Sequence, residues 1–483
     1  MKSFTLSILL FFYFSTGFCQ QNLSLSRVQM YADFDTLSST LKRVSPHIAL
    51  KKAVWKYDAM KEIASLRAKI DTISTDLGYF VLLQEAIASV QDLHTSLWGE
   101  QSGWAKVQED KYWKLRNGFK LSVPNVYSDG RYLITDPFVV DGDTVNIGTE
   151  VTHIEDQKIS DYLRSRLWAR EGCSYDLKRK TFYTGGFFKN MESIFQPELK
   201  FTFRRQDGKS VTHSMATDQF TKYLPMKGFK DSSRVEYWQT ERVLYIRLMK
   251  MDEALKPALF AALTGYIGRT DQFSKIIIDI RGNGGGNDNV WQDLYSRLID
   301  RPISYSLQID ASADPLGKAV IAAQTDSMGW KQDSSTLLKD FGLYQVVNKK
   351  ESIEVDSSSL HFTGKIIVLA ERHYSSAGSM VAVAASSSTD NIIAMGRSTG
   401  YFMGIGFAPG LFKLPYSGLQ YRIAPSIEVS RVNKLSDLMH DEMEVEVPYD
   451  MGYYREKFRS GLSPYTREFM VSFDPMIRAA IRY

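Results

Sequence analysis

Three consecutive glycines stand where a buried strand pattern gives way to a helix. The stretch KIIIDIRGNGGGNDN, starting at Lys275, places Gly284, Gly285 and Gly286 at that junction. Glycines allow positive φ and close approach of backbone to a ligand, and their converging N–H groups form a concavity that attracts negative charge. A dinucleotide fingerprint would begin Gly282-x-Gly284, but its third glycine fails because position 287 is Asn, and no Lys-Ser/Thr pair follows as in a phosphate loop. Two readings stay open. One is an oxyanion hole, which aims these donors at a tetrahedral intermediate; the other is a plain strand-to-helix turn.

A second reactive pattern is GKIIVLAERHYSSAGSMVAVAASS (364–387), in which a strand ends near Ala370 and Ser376 opens a helix of small residues. A serine there lies beside N–H groups lacking intrahelical partners, at the positive end of a helix dipole worth about half a charge. Both favour a developing oxyanion, and the Ala377 N–H is placed to donate to it. The same position suits an N-cap, and Ser375 and Ser379 offer neighbouring hydroxyls. Tyr374-x-Ser376-x-Gly378 differs from an α/β-hydrolase elbow at its first position, which in that elbow is Gly.

The elements that must hold these stretches fall into three textures. Residues 28 to 98 space apolar residues at three and four, in VQMYADFDTLSSTLKRV, LKKAVWKYDAMKEIASLRAKI and TDLGYFVLLQEAIASVQDL. That spacing predicts a helical bundle, with Thr75 or Asp76 capping its last helix. From 105 to 232, short alternating runs such as RYLIT and ELKFTFRRQDGKSVTHS predict a β-rich region. From 236 onward, strands such as KIIIDI, GKIIVLA and NIIAMG alternate with helices, the pattern of an α/β core with a partly parallel sheet. The expected divisions are a leader at 1–19, a helical domain at 20–104, a β-rich domain at 105–232, a catalytic α/β domain at 233–450 and a tail at 451–483 whose DPMIRAAIRY end forms a short helix.

Composition narrows the partners. Lys+Arg 59 against Asp+Glu 55 leaves a net charge of only +4, with no dense basic stripe, which argues against nucleic acid. Lys2 and the apolar run LSILLFFYF precede small residues near Cys19, the pattern of a secretory leader cut after Cys19. The run is too short to cross a bilayer of roughly 30 Å, so the expectation is an exported, periplasmic or secreted chain without a membrane span. Lipidation at Cys19 is disfavoured by bulky Phe18. The other cysteine, Cys173, has no partner for a disulfide once the leader is gone and no metal-like spacing. No His-Glu-x-x-His or paired-Cys pattern points to a metal, and no cofactor is expected.

Taken together, IIIDIRGNGGG and LAERHYSSAGS resemble the S41 peptidases: C-terminal processing proteases, tail-specific proteases and the tricorn core. GRSTGYFMG (396–404), FKLPYSGLQYRIAPS (412–426) and EVEVPYDM (444–451) resemble further passages of that family. GTEVTHIEDQKISDYL (148–163) resembles a PDZ passage, with Glu155-Asp156 where Asn-Gly usually stands. The resemblance implies a ClpP/crotonase-like layered core behind a helical front and a PDZ-like insert. It also implies Ser376 as nucleophile, with the amides of Ala377 and of Gly284 or Gly285 as oxyanion donors.

The resemblance also directs the search for a base. The tail-specific branch uses a Lys in the 396–402 turn, but this chain has none there. Arg397 cannot serve, because its proton does not leave near neutral pH, and Lys413 lies beyond the turn. The tricorn-like branch uses a His just after the front helices, and VQDLHTSLW matches with Asp92, His94 and Thr95, Leu93 replacing a Gly. An imidazole titrates near neutrality and can take and return a proton. The same branch orients the His with a carboxylate; aligning on Pro448 gives Glu442 that role, with Asp441 adjacent. His440 and His373 are further histidines near these motifs. The expected activity is a serine endopeptidase acting through an acyl-enzyme on protein or peptide C-terminal regions. The alternatives are a catalytically inactive S41-fold scaffold, suggested by the absent Lys and by Leu93, and an α/β-hydrolase esterase.

Overall fold

The computed structural model describes residues 23–118, 123–164, 174–176, 178–183, 198–216, 230–325, 336–371, 380–381, 384, 389–398, 406–439 and 443–483. The leader, both cysteines, Ser376, Ala377, Glu442, His373 and His440 lie outside these residues.

The front is helical, as its periodicity predicts. Ser26 caps the helix Arg27–Val44 in a reciprocal box with Gln29, and Met30, Phe34, Leu37, Leu41 and Val44 bury one face. The run expected as one helix around residue 56 is two, Pro46–Val54 and Ala59–Arg67. Lys56 takes a positive φ between them, and the Asp58 side chain caps the second. Thr75 caps Asp76–Ala88, its Oγ1 accepting from Gly78 N at 3.0 Å. Gly103–Gly118, expected at the start of the β-rich region, is a helix that sets Tyr112 against Phe80. These helices share one core with Leu414, Leu419, Tyr421 and Ile423 from the far end of the sequence. The Asp33 carboxylate reinforces that junction by accepting from the backbone N–H groups of Tyr416 and Ser417.

The middle region is an antiparallel sheet in the order Ser210–Ala216, Glu198–Arg204, Glu150–Ile154, Arg131–Ile134, Asn125–Ser128. Glu155 and Asp156 both take positive φ, giving the tight turn for which Asn-Gly is the usual choice. The chain then pairs Gln157–Lys158 back on the strand and enters the helix Ile159–Arg164, so the strand, turn and helix expected over 148–163 are present.

The last region is built on a six-stranded sheet ordered Arg234–Trp238, Val243–Arg247, Lys275–Asp279, Lys365–Ala370, Ile392–Gly396, Val445–Glu446. The first pair is antiparallel and every later pair parallel. Parallel strands are covered on both faces, which is why they read as unbroken apolar runs. Ile276, Ile278, Ile366 and Val368 meet Leu259, Leu263, Val290, Trp291 and Leu294 from the helices Lys256–Thr264 and Asn289–Ser296. Ile277, Ile367 and Leu369 point the other way, as alternation along a strand requires, and meet Met470, Met476, Ile477 and Ala480. The segment expected as a tail therefore supplies a structural layer, through the helices Met451–Arg459, Arg467–Phe473 and Pro475–Arg482.

Candidate active site

The strand Lys275–Asp279 ends in a buried charge network. Asp279 accepts from Arg281 Nε at 2.9 Å, Arg281 Nη2 at 2.6 Å, Arg247 Nη1 at 3.1 Å and the Tyr245 hydroxyl at 2.8 Å. Burial alone would raise its carboxyl, but the Arg281 and Arg247 guanidiniums outweigh burial and hold it well below the usual carboxylate range. Arg281 also donates to Asp474 at 2.5 Å and to the Tyr449 hydroxyl at 2.8 Å. The root of the glycine turn is thus clamped to both the sheet and the C-terminal helices.

Within the turn the three glycines differ. Gly286 has φ +143°, and a Cβ built on it would lie 2.1 Å from the Met251 carbonyl oxygen. Backbone bonds Met251 N to Gly285 O (3.1 Å) and Asn287 N to Met251 O (2.8 Å) lock that approach. Gly285 N donates to the side-chain oxygen of buried Asn283 at 2.8 Å, so this expected oxyanion donor already has an acceptor. At Gly284 a Cβ would meet none of the described residues within 4 Å.

The segment leading to Ser376 leaves the same edge of the sheet. Lys365–Ala370 runs parallel to Lys275–Asp279, and Ile280 N donates to Leu369 O at 2.9 Å where both strands end. Ile392–Gly396 ends beside them, with Arg397 N donating to Ala370 O at 3.0 Å. Gly396 is obligatory there: φ is +141°, and a Cβ would lie 1.9 Å from the Ala370 oxygen. The carboxyl edge of parallel strands is where open α/β sheets hold their ligands.

His94 sits on a turn after the helix Asp76–Ala88, and the turn is built around Asp92. Asp92 Oδ1 accepts from His94 N at 3.1 Å, and Asp92 Oδ2 accepts from Thr95 Oγ1 at 2.7 Å. Thr95 Oγ1 in turn accepts from Ala424 N at 3.2 Å, and Ser96 pairs with Arg422 across strands. His94 Nδ1 lies 3.7 Å from Asp92 Oδ1, and His47 Nε2 lies 3.9 Å from the same oxygen. The His94 side chain is 26% exposed, against 4% for Asp92. Lys51, buried alongside, donates to the carbonyls of Val90 and Gln91.

Burial pushes the His47 imidazole down to about 4, aided by Lys51 and His94 and opposed by Asp92. Asp92 goes the other way: burial would raise it, but His47, His94 and Lys51 together hold it well below the usual carboxylate range. The site therefore stacks an ionised Asp92 and a neutral His47 beneath a half-exposed His94. Asp92 was legible as part of the DLHT pattern but carried no role there, although its spacing two residues before a His was the available signal. His47 and Lys51 come from the helix Pro46–Val54, and no local pattern connects them to His94. Among the described residues, no group of His, Cys, Asp and Glu side chains could hold a metal, and no helix is long and apolar enough to cross a membrane.

The profile of Peptidase family S41 matches residues 242–430. No curated protein matches the sequence. Among solved structures, mature CPAF complexed with lactacystin is similar at a TM-score of 0.56 and 12% identity, covering 94% of this chain and 99% of that one. Mature CPAF alone gives the same TM-score and identity, with 94% and 98% covered. The photosystem II D1 C-terminal processing protease is a looser likeness, with a TM-score of 0.41, 12% identity, and 86% and 93% covered.

Proposed function

We propose that residues 242–430, matched by the profile of Peptidase family S41, form a serine-peptidase domain whose chemistry is carried by Ser376 and His94. Ser376 Oγ bonds to a peptide carbonyl carbon while its proton passes to His94. The amides of Ala377 and Gly284 hold the oxyanion. His94 then returns the proton to the leaving amine as the C–N bond breaks, and water repeats the sequence on the ester. Asp92 holds the His94 turn from below, and Glu442 is the second carboxylate we assign to orienting the ring. Gly285 is a reserve donor, since an oxyanion must share its N–H with Asn283.

The observation that supports this reading best is the His94 turn itself. A half-exposed imidazole stands over a buried carboxylate whose other oxygen is tied to Thr95. We further read the core as ClpP/crotonase-like, and the Glu150–Ile154 region as a PDZ-like module that takes peptide chain ends by strand addition. The apolar run near the start of the chain supports an exported enzyme.

A fluorophosphonate probe tests the assignment. Wild-type protein labels; Ser376→Ala does not; His94→Ala labels more slowly by about 100-fold or more. A folded wild-type protein that stays unlabelled from pH 6 to 9 would establish the inactive scaffold instead. Labelling that depends on His440 and not on His94, with turnover of small esters, would establish the esterase reading.

A further inference from the structure

A cavity of about 470 Å³ opens where the three strand ends meet the middle region and the C-terminal helices. Its cationic groups are Arg247, Arg281, Arg397 and Lys457. Two of these are neutralised: Arg247 by Asp231 and Asp279, and Arg281 by Asp279 and Asp474. Arg397 is different. It is only 8% exposed, and its side chain donates from Nη2 to the Tyr127 carbonyl at 3.1 Å. Among the described residues, neither Arg397 nor Lys457 forms an ion pair. A guanidinium removed from water and given one carbonyl is costly unless an anion joins it.

We propose that this cavity binds a small organic carboxylate with an aromatic body and a neighbouring N–H, held by Arg397 and Lys457. Arginine suits the task because its planar fork takes a carboxylate bidentately. The rest of the lining fits the same ligand. Tyr449, Tyr453 and Tyr454 form a wall of rings, with Tyr449 and Tyr453 stacked at 4.4 Å. Asp136 and Glu371 also face the cavity and offer acceptors to the N–H. Glu371 follows Ala370 beside Arg397, yet no ion pair joins them among the described residues, which leaves the guanidinium to the ligand. Bound there, the ligand would touch the middle region, the sheet edge and the C-terminal helices together. The site is independent of the peptidase assignment, because its readout is binding.

Calorimetry on the full chain carrying Ser376→Ala removes turnover from the measurement. N-acetyl-tyrosine, its amide and inorganic phosphate are the probes. The carboxylate is expected to bind, with the amide and phosphate weaker by about tenfold or more. Arg397→Gln should weaken the carboxylate by about tenfold or more. Lys457→Gln, on a half-buried helix face, should weaken it by about three- to tenfold and keeps the test available if Arg397→Gln does not fold. Equal binding of acid and amide, preference for phosphate, or full affinity in a folded Arg397→Gln or Lys457→Gln variant would overturn the proposal.

Discussion

The two turns assigned to catalysis are held in opposite ways. The His94 turn is fixed by side chains, with Asp92, His47 and Lys51 buried together so that ionised and neutral groups set each other's charge. The Gly284–Gly286 turn, above a root clamped by Asp279 and Arg281, is itself fixed by backbone contact with Met251, by the Asn283 side chain and by the absence of any Cβ at Gly286. A turn held by charge responds to pH, whereas a turn held by backbone contact responds to volume. The first suits a residue that must change protonation state, and the second suits amides that must not move.

Volume at Gly286 gives the largest expected effect. Gly286→Ala puts a methyl 2.1 Å from a carbonyl oxygen at a φ few side chains adopt, and should cost about 4 kcal/mol or more of unfolding free energy in urea. Asp92→Asn comes next. It removes the charge facing His47 and Lys51 and should cost about 3 kcal/mol, with slower probe labelling. A smaller loss than Glu442→Gln causes in labelling, with stability intact, would make Asp92 dispensable and break the comparison on the charged side.

The third effect is pH dependence. His47 is neutral in the fold, with its imidazole at about 4 against 6.5 when unfolded. Between those values the unfolded chain binds the extra proton, so stability is lost as pH falls from 6.5 towards 4. At pH 5 the loss from this group is about 2 kcal/mol. Asp92 adds its own loss only as pH drops below its unfolded value of 3.8, since its folded form resists protonation. Urea midpoints at pH 7.5 and 5 should therefore differ clearly in wild type and much less in His47→Gln. The smallest effect on stability is at Gly284. Gly284→Ala should stay within about 0.5 kcal/mol, because its Cβ meets none of the described residues within 4 Å, while the proposed oxyanion role of its amide predicts labelling slower by about tenfold.

Legibility followed how locally each feature is encoded. The strands Lys275–Asp279 and Lys365–Ala370 announce themselves as apolar runs because both faces are covered. Gly103–Gly118 was read as the start of a β-rich region because few positions bury: Ala105, Gln108 and Tyr112 face inward, and one of those is polar. The break at Lys56 lacks Gly or Pro and is set by the Asp58 cap. The helix Met451–Arg459 has no fully buried residue, and its half-buried side is made of tyrosines set among charged residues, which does not mark it as part of a layer. In the site, the glycine turn and the DLHT pattern were visible as local strings. His47 and Lys51 were not, because they reach Asp92 only through the packing of a separate helix.

The bond between Arg281 and Asp474 has a consequence for timing. Asp474 lies 193 residues after Arg281, and it caps the final helix as well as holding that guanidinium. A chain emerging from N- to C-terminus reaches Arg281 and the serine segment long before residue 474 exists. During that interval Arg281 lacks its second carboxylate, and one face of the sheet lacks Met470, Met476 and Ile477. The anchor of the glycine turn therefore forms only after residue 474 has been made, so the strand ends and the turn between them are synthesised well before the helices that hold them.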